Sequence, residues 1–380
     1  MRIDELERLI ATPAAWTCVY TDGPQGEPPG SVESRMRSLK DRLLQAGAPE
    51  ADADAVTAAL SSGEDVSAPS ARWLLVRDGE VVVDEAFDAA RLGQECVVHG
   101  GYPEIVPLLR HLSAERRILV VETERDGARL TVERVGRAGP ETTQEVEGEN
   151  EMITKVQAGG WSHSRYQRHA EDHWQHNQSE VAYAVNRLVR ERRPEHVFVS
   201  GDVRARQLLL ERLDGASREL VVEVDADTRA AGSDDTRLRD AIDDTLAGAR
   251  RGEVAQARER AAVADAREGA TGVADVVAAL QQAQVDTLVL DPRMSDGDAT
   301  LLALDAEPWV AVAEADAFDA TGTPLPVLEA LARAAVLTGA RVVFDEEDLD
   351  EAEARSDNRA AAPWAALRWP ADQTAPGSPA

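Results

Sequence analysis

Cysteine, lysine and aromatic residues are all scarce in this chain of 380 residues. Its two cysteines, Cys18 and Cys96, are too few and too distant in sequence for a disulfide framework or a cysteine-based zinc site. The only lysines are Lys40 and Lys155, so arginine carries almost all of the positive charge. We expect a protein that holds neither a metal nor a cofactor.

Positive charge is the minority sign: 41 Lys and Arg stand against 70 Asp and Glu, for a formal net charge of −29. A protein this acidic does not coat nucleic acid through general electrostatic attraction. Any contact with RNA must therefore be local, with stacking and hydrogen bonds contributing beside a few cations.

Long apolar runs are also missing, and no stretch is long enough to cross a bilayer. The first ten residues are charged and lack the apolar core of a signal peptide. With 43% hydrophobic residues, the composition is nevertheless that of a globular protein. We expect a cytoplasmic monomer without a membrane partner.

Alternating strand and helix patterns predict an α/β protein of three domains, at 1–114, 115–262 and 263–369, followed by a disordered tail at 370–380. Strand pairs are predicted around two Asp-Gly turns, Asp78-Gly79 and Asp126-Gly127. Residues 103–111 are interpreted as a short apolar connector. A long helix is predicted over 162–192 in the central domain, followed by a buried strand at 197–200.

Gly159-Gly160-Trp161 is the most informative stretch, because it precedes that long helix at the tip of a polar loop. Two adjacent glycines let a backbone approach another surface closely. On the helix, basic residues lie opposite the apolar arc, and Trp161 and Tyr166 offer stacking faces. The apolar arc is Ala170, Trp174, Val181, Val185 and Leu188, with His173 at its border. The predicted RNA-binding residues are Gly159, Gly160, Trp161, His163, Arg165, Arg168, His169 and His176.

Four segments in their order along the chain resemble the archaeal-eukaryotic class I peptide release factors and their relative Pelota. They are YPEIVPLL at 102–109, AGGW at 158–161, HVFVSGDVRAR at 196–206 and VDTLVL at 285–290. Over nearly its full length, the chain is similar to the bacterial and haloarchaeal family-2, Balon-like homologues of these factors.

That resemblance implies an N-terminal α/β domain near the decoding region, an RNase H-like central domain and an L7Ae-like C-terminal domain. It implies the ribosome as partner, through the ribosomal RNA of the decoding region and of the peptidyl transferase centre. It further implies a translational GTPase as partner, such as elongation factor Tu or its archaeal counterpart. The function implied is a ribosome-binding factor that occupies the A site in hibernation, stalling or rescue.

Trp161 departs from the family pattern, since release factors carry glutamine after the glycine pair. That glutamine helps to position the water that hydrolyses peptidyl-tRNA, whereas an indole has a donor and no acceptor. Gln157 and Gln167 flank the loop, but their spacing does not favour either as a substitute. The leading hypothesis is therefore a factor without release activity, and no catalytic residue is assigned. The alternative is a peptidyl-tRNA hydrolase, or release factor, that acts through the glycine pair.

Three histidines of the helix, His169, His173 and His176, allow a metal-dependent enzyme as a third hypothesis, because helical spacing brings them to one side. Zinc sites usually have four ligands, and no HExxH motif or cysteine pair accompanies these histidines. A solvated polar face that meets RNA is the preferred interpretation.

Two further groups of polar residues follow predicted strands. Asp202, Arg204 and Arg206 are interpreted as salt-bridge and loop-capping residues. Asp225 and Asp227 occupy positions where nucleases place acidic residues, but one sequence does not show whether carboxylates converge on a metal. Nuclease activity is not predicted.

Overall fold

The computed structural model describes residues 1–23, 28–61, 70–137, 139–148, 163–226, 235–263, 269–317, 319–346 and 362–369. Within these ranges, the side chains of residues 29, 163–172, 261–263 and 296 are outside the description. The described residues divide into two compact units, one of Met1–Ala114 with Arg250–Ala380 and one of Glu115–Ala249. The three-domain division and its boundaries stay a prediction.

The N-terminal part of the first unit is an antiparallel sheet with helices. Its helices are α1 (Ile3–Ile10), α2 (Pro29–Gln45), α3 (Glu50–Ser61) and α4 (Val106–Ala114). Its strands are β1 (Trp16–Asp22), β2 (Ala71–Arg77), β3 (Glu80–Phe87) and β4 (Cys96–Gly100), in the order β3-β2-β1-β4. Asp78 and Gly79 both have positive φ in the turn between β2 and β3, which confirms the predicted hairpin. The connector predicted at 103–111 was wrong, because α4 begins at Val106.

The second unit, Glu115–Ala249, contains a five-stranded sheet. Its strands are β5 (Arg116–Glu124), β6 (Gly127–Val135), β7 (Thr142–Glu147), β8 (His196–Gly201) and β9 (Val221–Glu223). They lie in the order β7-β6-β5-β8-β9; the first three form an antiparallel meander, and β8 and β9 run parallel to β5. This is the strand order of an RNase H-like sheet, as the resemblance implied.

Helices cover both faces of this sheet: α5 (His163–Arg192), α6 (Val203–Arg212), α7 (Gly215–Glu219) and α8 (Thr236–Val263). Side chains alternate between the faces along β5. Leu119 and Val121 pack in one core with α5 and α6, whereas Ile118 and Val120 pack in another with Leu238, Ile242 and Leu246 of α8. The result is a three-layer sandwich.

The C-terminal part of the first unit contributes two more sheets. Its elements are β10 (Gly269–Thr271), α9 (Val273–Gln281), β11 (Val285–Leu290), β12 (Thr300–Leu304), β13 (Val310–Ala311), β14 (Gly322–Pro326), α10 (Val327–Leu337), β15 (Arg341–Phe344) and β16 (Trp364–Leu367). The sheet orders are β10-β16-β11-β15 and β13-β12-β14. One hydrophobic core joins residues of 6–109 with residues of 270–367. The α/β class is confirmed.

None of the helices in the described ranges is long and apolar enough to cross a membrane.

Candidate nucleic-acid interface

Helix α5 has one buried face and one exposed face over its described side chains. Val181, Val185 and Leu188 are fully or nearly fully buried against the sheet, as the predicted apolar arc required. His176 is exposed and His173 is half-buried, which agrees with its predicted place at the border. The helix begins at His163, one residue from the predicted start, and ends at Arg192 as predicted.

Two buried amide side chains fasten α5 to the turn between β5 and β6. Gln178 donates from Nε2 to the carbonyl oxygen of Glu124 at 2.7 Å and accepts from Thr123 Oγ1 at 3.0 Å. Asn177 donates from Nδ2 to the carbonyl oxygen of Arg125 at 3.2 Å. Buried polar groups that are satisfied in this way hold a helix in one register. The sequence analysis did not identify these two residues. The feature of the sequence that indicates them is that two amide side chains stand within the apolar arc of the helix.

Arg125 and Trp174 form the other contact between α5 and this turn. The Arg125 guanidinium carbon lies 4.6 Å from the centroid of the Trp174 ring, within cation–π distance. The same guanidinium forms an ion pair with Asp202 at 3.1 Å. Trp174 is half-buried and lies beneath this arginine, whereas the later residues of the predicted apolar arc, such as Val181 and Val185, are fully buried.

The predicted RNA-binding residues are described to different extents. Gly159, Gly160 and Trp161 lie outside the described residues. His163, Arg165, Arg168 and His169 lie in the helical backbone of α5, and their side chains are outside the description. His176 is the member whose side chain is described, and it is exposed. The predicted interface as a whole therefore stays a prediction.

An exposed aromatic residue on α5 was missed by the interpretation of the sequence. Tyr183 is 67% exposed, which is unusual for a large hydrophobic side chain. It lies seven residues after His176 and seven before Arg190, and two helical turns bring such positions to nearly the same side. Arg190 is also exposed and forms an ion pair with Asp214 at 3.2 Å. In the sequence, an aromatic residue on the polar arc of an amphipathic helix indicates an exposed ring of this kind.

The polar residues after β8 and β9 have structural partners. Asp202 caps the N-terminus of α6 by accepting from the backbone amides of Arg204 and Ala205. Arg206 is buried and donates to the carbonyl oxygen of Val224 at 2.8 Å, with ion pairs to Glu223 and Asp225. The salt-bridge and capping interpretation is confirmed for Asp202 and Arg206. Asp225 is engaged in that ion pair, and Asp227 lies outside the described residues.

Asp202 is held in its ionised form. Burial raises the pKa of its carboxyl, but the Arg125 guanidinium and the amides of Ala205 and Arg204 outweigh that effect, so the pKa is lowered overall. Across the part of the chain that the structure describes, no group of three His, Cys, Asp or Glu side chains is placed to hold a metal ion. The His169 side chain is not among those described, so the three-histidine hypothesis is untested.

Residues 117–267 match the bacterial archaeo-eukaryotic release factor family 2. Residues 117–267, the family-2 segment, are similar to that family. The matched residues include all of α5, α6 and α8 and almost all of the sheet in the second unit. The family-2 segment therefore contains both the Gly-Gly-Trp stretch and the helix that follows it.

Two curated relatives align with more of the chain than the family-2 segment. They are uncharacterized proteins of Mycobacterium tuberculosis, strains H37Rv and CDC 1551 / Oshkosh, each 26% identical over 357 residues. Each alignment covers 91% of this chain and 93% of the relative.

Solved structures of an archaeal termination factor and of Pelota are similar at lower identity. An archaeal translation termination factor is 16% identical, with 97% of this chain and 96% of that chain covered and a TM-score of 0.26. Archaeoglobus fulgidus Pelota is 17% identical, with 80% and 81% covered and a TM-score of 0.36. Archaeal Pelota in a ribosome-bound model with ABCE1 is 14% identical, with 97% and 94% covered and a TM-score of 0.36. Likeness at these scores does not define a function for the chain.

Proposed function

We propose that the protein is a ribosome-binding translation factor of release-factor type that occupies the A site during hibernation, stalling or rescue, without release activity. The observation that carries the proposal is α5 of the family-2 segment, which is locked to an RNase H-like sheet through Asn177 and Gln178 and exposes His176 on its outer face. In this proposal the Gly159-Gly160 pair approaches the ribosomal RNA of the peptidyl transferase centre.

Local rather than global charge supports an RNA contact. The chain has a net charge of −29, yet residues 163–176 hold four of its seven histidines together with Arg165 and Arg168. Imidazole and guanidinium groups donate hydrogen bonds to phosphate oxygens. Tyr183 adds an exposed ring on the described half of the helix, and aromatic rings stack on nucleobases.

We propose that the protein lacks release activity because of the side chain that follows the glycine pair. Trp161 offers one N–H donor and no acceptor, so it does not hold a water in the way that a glutamine carbonyl does. In the same proposal, the N-terminal part of the chain lies near the decoding region. The C-terminal part meets a translational GTPase, such as elongation factor Tu or its archaeal counterpart.

Cosedimentation with ribosomes from growing, stationary and stressed cells tests the binding. We expect the wild-type chain in the ribosomal fraction, and loss of binding for the double variant Arg165→Glu, Arg168→Glu. The matched control is Arg250→Glu, Arg251→Glu, which changes the net charge equally on α8. Equal ribosome binding by the two double variants would contradict the proposed contact through Arg165 and Arg168. Absence of the wild-type chain from the ribosomal fraction in every growth condition and at every salt concentration would contradict the proposal as a whole.

Turnover of peptidyl-tRNA on the ribosome decides between this factor and the hydrolase. We expect the wild type, Gly160→Ala and Trp161→Ala to show the same background rate. A wild-type rate well above background that Gly160→Ala abolishes would establish release activity instead.

A further inference from the structure

An arginine-rich patch lies at one end of the second unit, where β5 begins and where β6 and α5 end. We define the arginine patch as residues 115–117, 134–141 and 191–195, which hold six arginines and four glutamates. The whole chain has 41 Lys and Arg against 70 Asp and Glu. Positive charge is therefore in local excess at the arginine patch, in contrast to the rest of the protein.

Hydrogen bonds bring the three segments of the arginine patch together. Strands β5 and β6 pair so that Arg117 lies opposite Arg134. The amide of Glu195 donates to the carbonyl oxygen of Arg117 at 2.8 Å. The Arg117 guanidinium donates from Nη1 to the carbonyl oxygen of Arg192 at 2.9 Å, across 75 positions of sequence. The end of α5 is thus fastened to the strand pair.

Two carboxylates of the arginine patch are each shared by two arginines. Glu141 accepts from Nε of Arg117 at 3.0 Å and from Nε of Arg134 at 2.9 Å. Glu115 accepts from Arg137 and lies 3.7 Å from Nη1 of Arg134. The Glu141 side chain is 21% exposed, against 33% for Arg117 and 39% for Arg134. More of each arginine than of the shared carboxylate therefore reaches the solvent.

Glu141 holds these two arginines as an ionised group. Burial raises the pKa of its carboxyl, but the hydrogen bonds and charges of Arg117 and Arg134 outweigh that effect, so the pKa is lowered overall. A guanidinium fixed in this way loses less side-chain entropy when it binds an anion. It also keeps donors for that anion, because a guanidinium has five N–H groups and Arg117 donates to Glu141 and to one backbone carbonyl.

Arg192 and Arg193 add two exposed cations at the end of α5. Neither has an ion pair with a residue in the described ranges. The negative end of the helix dipole favours cations at this position. The arginine patch thus combines guanidinium groups that are held in place with others that no described carboxylate neutralises.

Exposed hydrophobic groups are missing from the arginine patch. None of the large hydrophobic side chains that are exposed in the described ranges belongs to it. Protein interfaces depend on aromatic and apolar anchors, and single-stranded RNA is bound by stacking on aromatic rings. Double-stranded RNA is recognised mostly through its phosphates and 2′-hydroxyl groups, and arginine binds phosphate with paired hydrogen bonds. The charge and polarity of the arginine patch therefore fit the backbone of duplex RNA.

We propose that the arginine patch binds the phosphate backbone of double-stranded RNA without regard to base sequence, through Arg117, Arg134, Arg192 and Arg193. The inference deepens the proposed function and rests on it for the choice of RNA as the partner. It names a second group of RNA-contacting residues, none of which is among those predicted from the sequence.

Fluorescence anisotropy of the full chain at low salt tests the proposal, with labelled RNA duplexes of about 16 base pairs as probes. Two duplexes of unrelated sequence should bind with equal affinity. The double variant Arg192→Gln, Arg193→Gln should bind both duplexes roughly tenfold more weakly. Its plot of log affinity against log salt should be shallower by about 2, because each phosphate contact contributes about 0.9 to the slope.

The matched control is Arg250→Gln, Arg251→Gln, an adjacent arginine pair on α8 that lies outside the arginine patch. It changes the net charge equally and should bind both duplexes as the wild type does. Since Arg192 and Arg193 are exposed, their variant should unfold in urea at the wild-type midpoint, which separates a loss of binding from a loss of folding.

Three outcomes would overturn the proposal. They are no binding of either duplex at low salt, equal affinities and salt slopes for the wild type and the Arg192, Arg193 variant, and tighter binding of a polyglutamate peptide than of the duplexes. The last would assign the arginine patch to an acidic protein. Cosedimentation with ribosomes without duplex binding would overturn this inference alone and leave the proposed function standing. Duplex binding through the arginine patch without cosedimentation would do the reverse.

Discussion

The guanidinium of Arg333 in α10 donates from Nε to the backbone carbonyl of Ile10, at the end of α1, over 2.9 Å. The two residues are 323 positions apart in sequence, and both are buried. The other guanidinium nitrogens donate to the carbonyls of Ala11 at 3.0 Å and Trp309 at 3.2 Å. A single side chain thus bonds to both the N-terminal and the C-terminal parts of the first unit.

Replacing Arg333 should destabilise the first unit. Burial lowers the pKa of the Arg333 guanidinium to about 10, so it is still charged at neutral pH. Arg333→Ala removes a charged donor and leaves three carbonyls without their partner, which we expect to cost roughly 3 kcal/mol. Urea unfolding followed by tryptophan fluorescence measures this. The exposed control Arg192→Ala should change stability by less than about 0.5 kcal/mol. Similar values for both variants would contradict this role of Arg333.

Glu329 makes the stability of the first unit depend on pH. Its side-chain carboxyl oxygens accept from the amides of Ile105 at 2.8 Å and Val106 at 3.1 Å, where α4 begins. Burial raises the pKa of Glu329 to about 8, with a further rise from the charge of Glu104. Since this exceeds the ordinary value of 4.5, the folded chain binds the proton more tightly than the unfolded chain. The free energy of unfolding should therefore fall as the pH rises from about 4.5 to 8.

Glu329→Gln tests that dependence, because glutamine keeps an acceptor oxygen for the two amides and does not titrate. Unfolding by urea at several pH values should give a flatter profile for this variant than for the wild type. Glu259→Gln, at an exposed position, should keep the wild-type slope. A wild-type slope in Glu329→Gln would assign the pH dependence to another group.

Gly201 and Gly248 should respond in opposite directions to alanine. Gly201→Ala forces a residue into positive φ and into contact with the carbonyl oxygen of Thr123, at a cost of about 2 kcal/mol or more. Gly248 lies inside α8 with open space around its Cα, so Gly248→Ala should stabilise that helix by about 0.5–1 kcal/mol. Hydrogen exchange measured on peptides of β8 and α8 reports the two sites separately. Unchanged exchange of β8 in Gly201→Ala would refute the steric argument.

Asp202 combines a helix cap with an ion pair, and two substitutions separate these roles. Asp202→Ala removes both and should cost about 1 kcal/mol, whereas Asp202→Asn keeps a good N-cap and loses only the charge. Because the pKa of Asp202 is lowered in the folded chain, its stabilisation is present above the ordinary value of 3.8 and lost as the pH falls. Both variants should therefore lose less stability than the wild type in acid unfolding. Equal acid sensitivity would show that the pair with Arg125 contributes nothing.

Local sequence determined several elements of this protein. The Asp-Gly turns lead into paired strands because Gly79 and Gly127 adopt positive φ easily. Alternation along β5 distributes its side chains between two cores, and the helical period of Val181, Val185 and Leu188 directs one face of α5 to the sheet. In each case, the signal lies within a few residues of the structure it produces.

Other features of the protein were decided by the tertiary structure alone, because the residues that contact one another there lie far apart in the sequence. Helix α4 begins where the side-chain carboxyl group of Glu329 accepts from the amides of Ile105 and Val106, and Glu329 lies more than 220 residues later in the chain. In the second unit, a cleft lined by Arg125, Asp202 and Arg237 lies where the ends of β5, β8 and β9, from three parts of the chain, meet at one edge of the sheet. The positions of Asn177 and Gln178 likewise depend on carbonyls more than 50 residues earlier. A pattern of neighbouring residues encodes a face or a turn, but the satisfaction of a buried polar group depends on which distant segments folding brings to it.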